Sequence, residues 1–145
     1  VFGLRLIDGD LAISGGSYQL CDGAVKTEQD VWLALGEPLG NDRFHPGWGS
    51  TLLTFIGLPM TETLLFQVQQ EALRVVGNYQ AVQYDQVQTD ALAQATSRFS
   101  TAELIGQITS VTVTAALDTI TIDIAIQTID EQDLVLTATI GGGNA

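Results

Sequence analysis

The chain has 145 residues, 46% of them apolar, which is enough to bury one core without disulfides or metals. Seventeen acidic against five basic residues give a formal charge of −12, and Arg5, Lys26, Arg43, Arg74 and Arg98 are scattered through the sequence. A basic stripe for nucleic-acid phosphates or anionic lipid is thereby excluded, and neither nucleic acid nor membrane is expected as a partner.

No apolar run approaches the roughly 18 residues of a membrane span. Cys21 is the lone cysteine, so no intrachain disulfide can form. It reads as a small buried hydrophobe in a reducing compartment.

Phe2 to Ile13 alternates apolar residues around the turn Asp8-Gly9-Asp10, as a short strand or hairpin would, and Gly15-Gly16 follows as a break. The loop lacks the later ligands of a calcium site. Ala24 to Leu35 turns helical: Val25, Trp32 and Leu35 share one face, and Gly36 supplies a stop. A loop from Glu37 to Ser50 carries Phe44, His45, Pro46 and Trp48 among glycines. Rings in such a loop are expected to be pinned to a surface.

Leu52 to Leu58 is a short apolar segment ended by Pro59, and Thr61 or Thr63 caps a helix reaching about Val76. Leu65, Val68, Ala72, Val75 and Val76 form its buried stripe, with Gln67, Gln70, Glu71 and Arg74 outside it. Gly77-Asn78 is expected to interrupt this helix. A glutamine-rich, partly helical segment follows from Tyr79 to Gln94. Ser100 and Glu103 have the spacing of a capping box before a short helical turn through Ile105.

The last third is β. Ile108–Ala116, Ile120–Gln127 and Leu134–Ile140 alternate, separated by turns at Asp118-Thr119 and Asp130–Asp133. Residues 141–145 read as a flexible glycine-rich tail. The order predicts a single α+β domain over 1–145. Its antiparallel C-terminal sheet has about three strands, joined by a short N-terminal strand and packed with two main helices.

Catalytic patterns are absent. His45 is the single histidine, so no histidine-based metal cage can be built. Its place between Phe44 and Pro46 suits a structural hydrogen bond. The glycine-serine pieces at Gly15-Gly16-Ser17 and Gly47-Trp48-Gly49-Ser50 form neither a nucleophile elbow nor a phosphate loop. Glu37, beside the aromatic loop, is the carboxylate to test for glycosidase chemistry. No cofactor is expected, and the chain reads as a structural part rather than an enzyme.

Arg43-Phe44-His45-Pro46-Gly47-Trp48-Gly49 resembles the Arg/Pro-Phe-Asp-Pro-x-Phe/Tyr-Gly loop of the W-type phage baseplate wedge proteins, the contractile tail sheath initiators. The flanking order is similar too. A helix with Val25 and Gln29 precedes the loop, Pro59-Met60-Thr61 leads into a helix carrying Ala72-Leu73-Arg74, and three strands close the chain. The resemblance spans roughly residues 24–140. Three features depart from it: Gly77-Asn78-Tyr79 stands where the family has Glu-Pro-Arg, 80–98 reads as an inserted helical segment between helix and sheet, and His45 stands where the family has aspartate.

The resemblance implies a virion protein of the tail baseplate, made in the host cytoplasm and set in six copies around the tail tube. It would link the inner wedge to the sheath and template sheath assembly by strand exchange. The partners implied are the tail sheath protein, other wedge and hub proteins and the tail tube. Interface candidates are Phe44, Pro46 and Trp48 in the loop, Gly77, Asn78 and Tyr79 after the helix, and Ile120, Ile122, Ile124, Leu134 and Leu136 in the sheet. One expectation places Ile120–Ile129 or Leu134–Ile140 beside a strand of another chain; the other has those edges covered by Phe2–Ile13 and the helices. Two further readings stand beside these. One is the equivalent part of a bacterial contractile injection or type VI secretion system; the other is a peptidoglycan-cleaving, lysozyme-like enzyme.

Overall fold

The computed structural model describes residues 2–141. The proposed glycine-rich tail, apart from Gly141, lies outside the described residues. The architecture is α+β: two helices pack on one face of a three-stranded antiparallel sheet, with a small β module ahead of them.

That module is built from a repeat of seven residues. Leu4-Arg5-Leu6, Leu11-Ala12-Ile13 and Tyr18-Gln19-Leu20 each cross a common centre. Six two-residue strands result: β1 (Gly3–Leu4), β2 (Leu6–Ile7), β3 (Asp10–Leu11), β4 (Ile13–Ser14), β5 (Ser17–Tyr18) and β6 (Leu20–Cys21). They pair as β2 with β3, β4 with β5, and β6 back to β1. At the centre the backbone closes a ring: Ala12 N donates to Arg5 O at 2.9 Å, Gln19 N to Ala12 O at 2.8 Å, and Arg5 N to Gln19 O at 2.9 Å. Gly15-Gly16, expected as a break, is one of the hairpin turns. Both residues have positive φ (59° and 79°), as the type I′ geometry of a two-residue hairpin requires.

Helix α1 spans Gly23–Gly36, close to the expected bounds. Its buried residues are Thr27, Val31, Ala34 and Leu35. Val25 and Trp32, expected on the core face, are 48% and 46% exposed and form an adjoining stripe. Gln29 docks the N-terminal module on this helix, its Oε1 accepting from Leu6 N at 2.7 Å and its Nε2 donating to Leu4 O at 2.8 Å. Cys21 is buried, as expected.

After a 3-10 turn at Leu52–Phe55, helix α2 runs unbroken from Glu62 to Leu92. Thr61 caps it, its side chain accepting from Leu64 N at 3.2 Å. The expected break at Gly77-Asn78 does not occur, because a glycine costs only about 1 kcal/mol in a helix interior. Burial of Val75, Val76, Tyr79 and Gln83 on the same face outweighs that cost. Most of the segment 80–98 is helical, as the last turns of α2. The stripe is as read, except that Leu64 is fully buried and Leu65 only partly.

Strands β7 (Ile105–Ala116), β8 (Thr119–Thr128) and β9 (Asp133–Gly141) follow in the spatial order β7-β8-β9. Ser100–Glu103 makes one turn in place of a short helix, and β7 starts at Ile105. Ile120, Ile122, Ile124 and Ile126, each at most 1% exposed, fill the helix-facing side of β8. At roughly 1.5–3 kcal/mol per fully buried side chain, they are a large part of the core's stabilisation. Thr121, Asp123 and Gln127 take the opposite face. One correction follows directly. β8 is paired on both sides, so it cannot lie beside a strand from another chain, and Ile120, Ile122 and Ile124 are core residues of this domain.

Candidate functional site

Two surfaces gather the residues singled out by the sequence: the aromatic loop over α2, and the edges of the sheet.

The loop leaves α1 at Glu37 and is stitched at its base, where Ser50 N donates to Glu37 O at 2.7 Å and Leu39 N to Ser50 O at 2.9 Å. Gly49 sits inside this stitch with φ of 97°, and a Cβ there would lie 2.6 Å from Glu37 O; only glycine fits. Asp42 shapes the tip. Its Oδ1 accepts from Phe44 N at 2.8 Å and its Oδ2 lies 2.9 Å from His45 Nδ1. His45 thus has the structural hydrogen bond expected of it. Those bonds, His45 first, hold the Asp42 carboxyl below the ordinary aspartate range.

Helix α2 clamps the loop from beneath. Glu71 Oε1 accepts from Thr51 N at 2.7 Å, Arg74 Nη2 donates to Gly49 O at 2.9 Å, and Asn78 Nδ2 donates to Gly47 O at 3.1 Å. Trp48 meets the Tyr79 ring edge-on, with centroids 6.1 Å apart at 61°. The Tyr79 hydroxyl donates to Asp30 Oδ2 at 2.8 Å, and Lys26 pairs with the same carboxylate. Burial, then the charge of Asp30, raises the Tyr79 phenol far above its usual range.

The candidates therefore separate. Trp48 and Tyr79 are half-buried and buried packing partners, and Asn78 is a loop clamp. Gly77 is a partly covered helix residue. Phe44 is 85% exposed, and Pro46 is exposed beside it. The expectation that the rings of the loop are pinned down fails for Phe44, while Asp42 and His45 beside it face Asn78, Val82 and Asp85 of α2.

The two edges of the sheet differ. Strand β7 is irregular, with register shifts between Ile105 and Gln107 and between Ile108 and Ser110. Glutamines of α2 cover it. Gln69 Nε2 donates to Val111 O at 2.7 Å, Gln80 Nε2 to Ile105 O at 2.9 Å and Gly106 O at 3.1 Å, and Gln83 Oε1 accepts from Ile105 N at 3.0 Å. Such covering, with bulges, is how proteins blunt an edge. The sequence carried this signal as glutamines 11 and 3 residues apart on one helical face.

Strand β9 is regular from Asp133 to Gly141 and, among the described residues, has no strand on its outer side. Of the two expectations for the edges, coverage holds at β7, through α2, and not at β9. Of the sheet candidates, Leu134 and Leu136 belong to this edge. Leu136 is buried and Leu134 partly so, since alternate residues of β9 point into the core.

The carboxylates with shifted pKa values are Asp42, Glu71 and Asp90, and each is lowered by hydrogen bonds. A glycosidase general acid needs the opposite shift. Glu37, the one singled out, accepts from Asn41 Nδ2 at 2.6 Å. Among the described residues no group of three or more His, Cys, Asp or Glu could hold a metal, and no helix is long and apolar enough to cross a membrane.

Neither a family model nor a curated protein matches the sequence. Among solved structures the chain is similar to a protein of Geobacter sulfurreducens named "putative tail lysozyme". The TM-score is 0.52 at 17% sequence identity, over 83% of this chain and 91% of that one. At that identity the likeness is one of fold: two helices on a three-stranded sheet, arranged as in a protein given a tail name.

Proposed function

We propose that this chain is a structural part of a contractile phage tail baseplate, a sheath initiator that joins the inner baseplate to the sheath. It starts sheath assembly by accepting a sheath strand at the outer edge of β9. The observation that carries this reading is the asymmetry of the sheet. One edge is covered by bulges and three glutamines, while the other offers a regular ladder to a further strand. The sequence resemblance at the aromatic loop and the fold shared with a protein named "putative tail lysozyme" support the same assignment.

Wedge and hub proteins, with the tail tube, are the other partners on this reading. The exposed tip at Phe44 and Pro46 is the surface offered to them. The test is a cryo-electron-microscopy reconstruction of the assembly that contains the chain. Six copies around a tube, each with a foreign strand on β9, are expected. A ring in which β9 stays solvent-exposed, or in which the added strand lies on β7, overturns the proposal. The same result in a bacterial injection system would keep the role and change only the particle.

The name of the similar protein favours one second reading, a peptidoglycan-cleaving enzyme. It predicts clearing of purified cell walls by the isolated protein, lost in Glu37→Ala. Asp42, Glu71 and Asp90 do not suit the general-acid role, because hydrogen bonds lower each of these carboxyls.

A further inference from the structure

The open edge of β9 does not face bulk solvent alone. A groove of about 370 Å³ lies between Leu136–Ala138 of β9, the exposed stripe of α1 and the first turns of the N-terminal module. Val25 and Trp32 form its apolar wall, while Arg5, Asp8 and Glu28 supply its charges.

Resting on the strand-addition reading, we infer that this groove is a side-chain subsite that selects which strand can be added. Its occupant is one extended segment of a different protein, apolar at alternate residues with Lys or Arg between them. Trp32 is the residue that determines specificity.

An added strand places the side chains paired with Leu136 and Ala138 on the face those two residues use, toward the helices. On that side stand Val25 and Trp32, 48% and 46% exposed although they belong to the apolar pattern of α1. Two apolar side chains two residues apart would cover them.

The residue between those two points to the other face, beside Thr137. The Thr137 hydroxyl donates to Asp123 Oδ1 at 2.6 Å, so a carboxylate already stands on that face. The whole chain carries −12 besides. A basic segment is therefore attracted, and a second copy of this acidic chain is repelled.

The experiment titrates the intact chain with a seven-residue peptide alternating valine and lysine, followed by amide and indole NMR shifts. Two control peptides are used, one N-methylated along the backbone and one of the same composition with its valines adjacent. Protection of the Leu136–Ala138 amides and a shift of the Trp32 indole are expected with the alternating peptide only. Trp32→Ala should weaken binding at least about tenfold, as loss of an aromatic anchor does, and Trp32→Phe should restore most of it. Val25→Lys, at a second exposed position, should weaken binding without changing the melting temperature.

Unchanged affinity in Trp32→Ala, with β9 still protected, overturns the subsite and leaves strand addition standing. Protection at β7, or at neither edge, overturns both. Protection of β9 by the chain's own dimerisation, without peptide, replaces the foreign strand by a second copy and overturns the assignment of the occupant.

Discussion

The Glu103 carboxylate caps α1 at Gly23, a residue 80 positions away: its Oε1 accepts from Gly23 N at 3.1 Å, while its Oε2 accepts from Ser100 N at 2.8 Å. Asp22, which occupies the N-cap position of α1, makes no side-chain cap bond. The carboxylate is 1% exposed, while Gly23 is partly covered and Ser100 exposed, so the buried group is the acceptor. The backbone oxygen of the same residue accepts from Thr27 Oγ1 at 2.8 Å and from Gln83 Nε2 at 2.7 Å, tying both helices to the start of β7. Glu103→Ala is expected to cost about 2 kcal/mol, as two lost hydrogen bonds to a charged acceptor. Chemical denaturation measures it, and a loss below about 1 kcal/mol would mean that water replaces the carboxylate.

Asp90 sets an acid limit. It is 4% exposed and accepts from Arg98 N at 3.0 Å and Gln86 Nε2 at 3.1 Å, with the Arg98 guanidinium also paired to it. These partners, the Arg98 amide first, lower its pKa in the folded state. The stability it contributes is therefore complete above the unfolded carboxylate range near about pH 4, and is lost as pH falls through the lower folded value. Hydrogen exchange should show the Arg98 amide losing protection below about pH 4 while the β8 amides stay protected. In Asp90→Asn that acid step should vanish.

Gly77 offers a test in the stabilising direction. It lies inside α2 without positive φ, and an added Cβ would meet nothing within 4 Å. Gly77→Ala should raise stability by about 0.5–1 kcal/mol. A lower melting temperature would contradict the unbroken helix. An unchanged fold with failed assembly would place Gly77 against a partner.

Trp48→Ala removes the edge-on contact with Tyr79 and a ring packed against the core. Because the ring is partly exposed, the expected cost is about 2 kcal/mol, below the range for a fully buried aromatic residue. Phe44→Ala, at an 85% exposed position, should leave the melting temperature within about 0.5 kcal/mol equivalent and lower assembly only. Thermal melts of the isolated chain, beside assembly assays, separate the two.

The glutamine cover of β7 predicts a change in behaviour as well as in stability. Gln69→Ala with Gln80→Ala frees the carbonyls of Val111, Ile105 and Gly106. The pair should cost about 2–3 kcal/mol in lost hydrogen bonds and promote edge-to-edge association. Light scattering that stays flat at high concentration would show that the bulges alone protect the edge.

The sequence by itself determined the elements that depend on local rules. Period-two alternation placed Ile120 to Ile126 on one face of a strand; Thr61 marked a helix start, and Gly36 a helix end. The α+β class followed from their order. The Ser100–Glu103 spacing located a capping carboxylate, but its second partner, Gly23, is distant in sequence and no local rule could supply it.

Tertiary structure alone decided the rest, because those choices are settled by energies of contact between distant segments. Burial on the face of Val76, Tyr79 and Gln83 carried α2 through Gly77, where propensity favoured a break. Packing rotated α1 so that Val25 and Trp32 line a groove instead of the core. Strand order made β8 central and left β9 at the edge, since alternation marks a strand's faces but is silent about its neighbours.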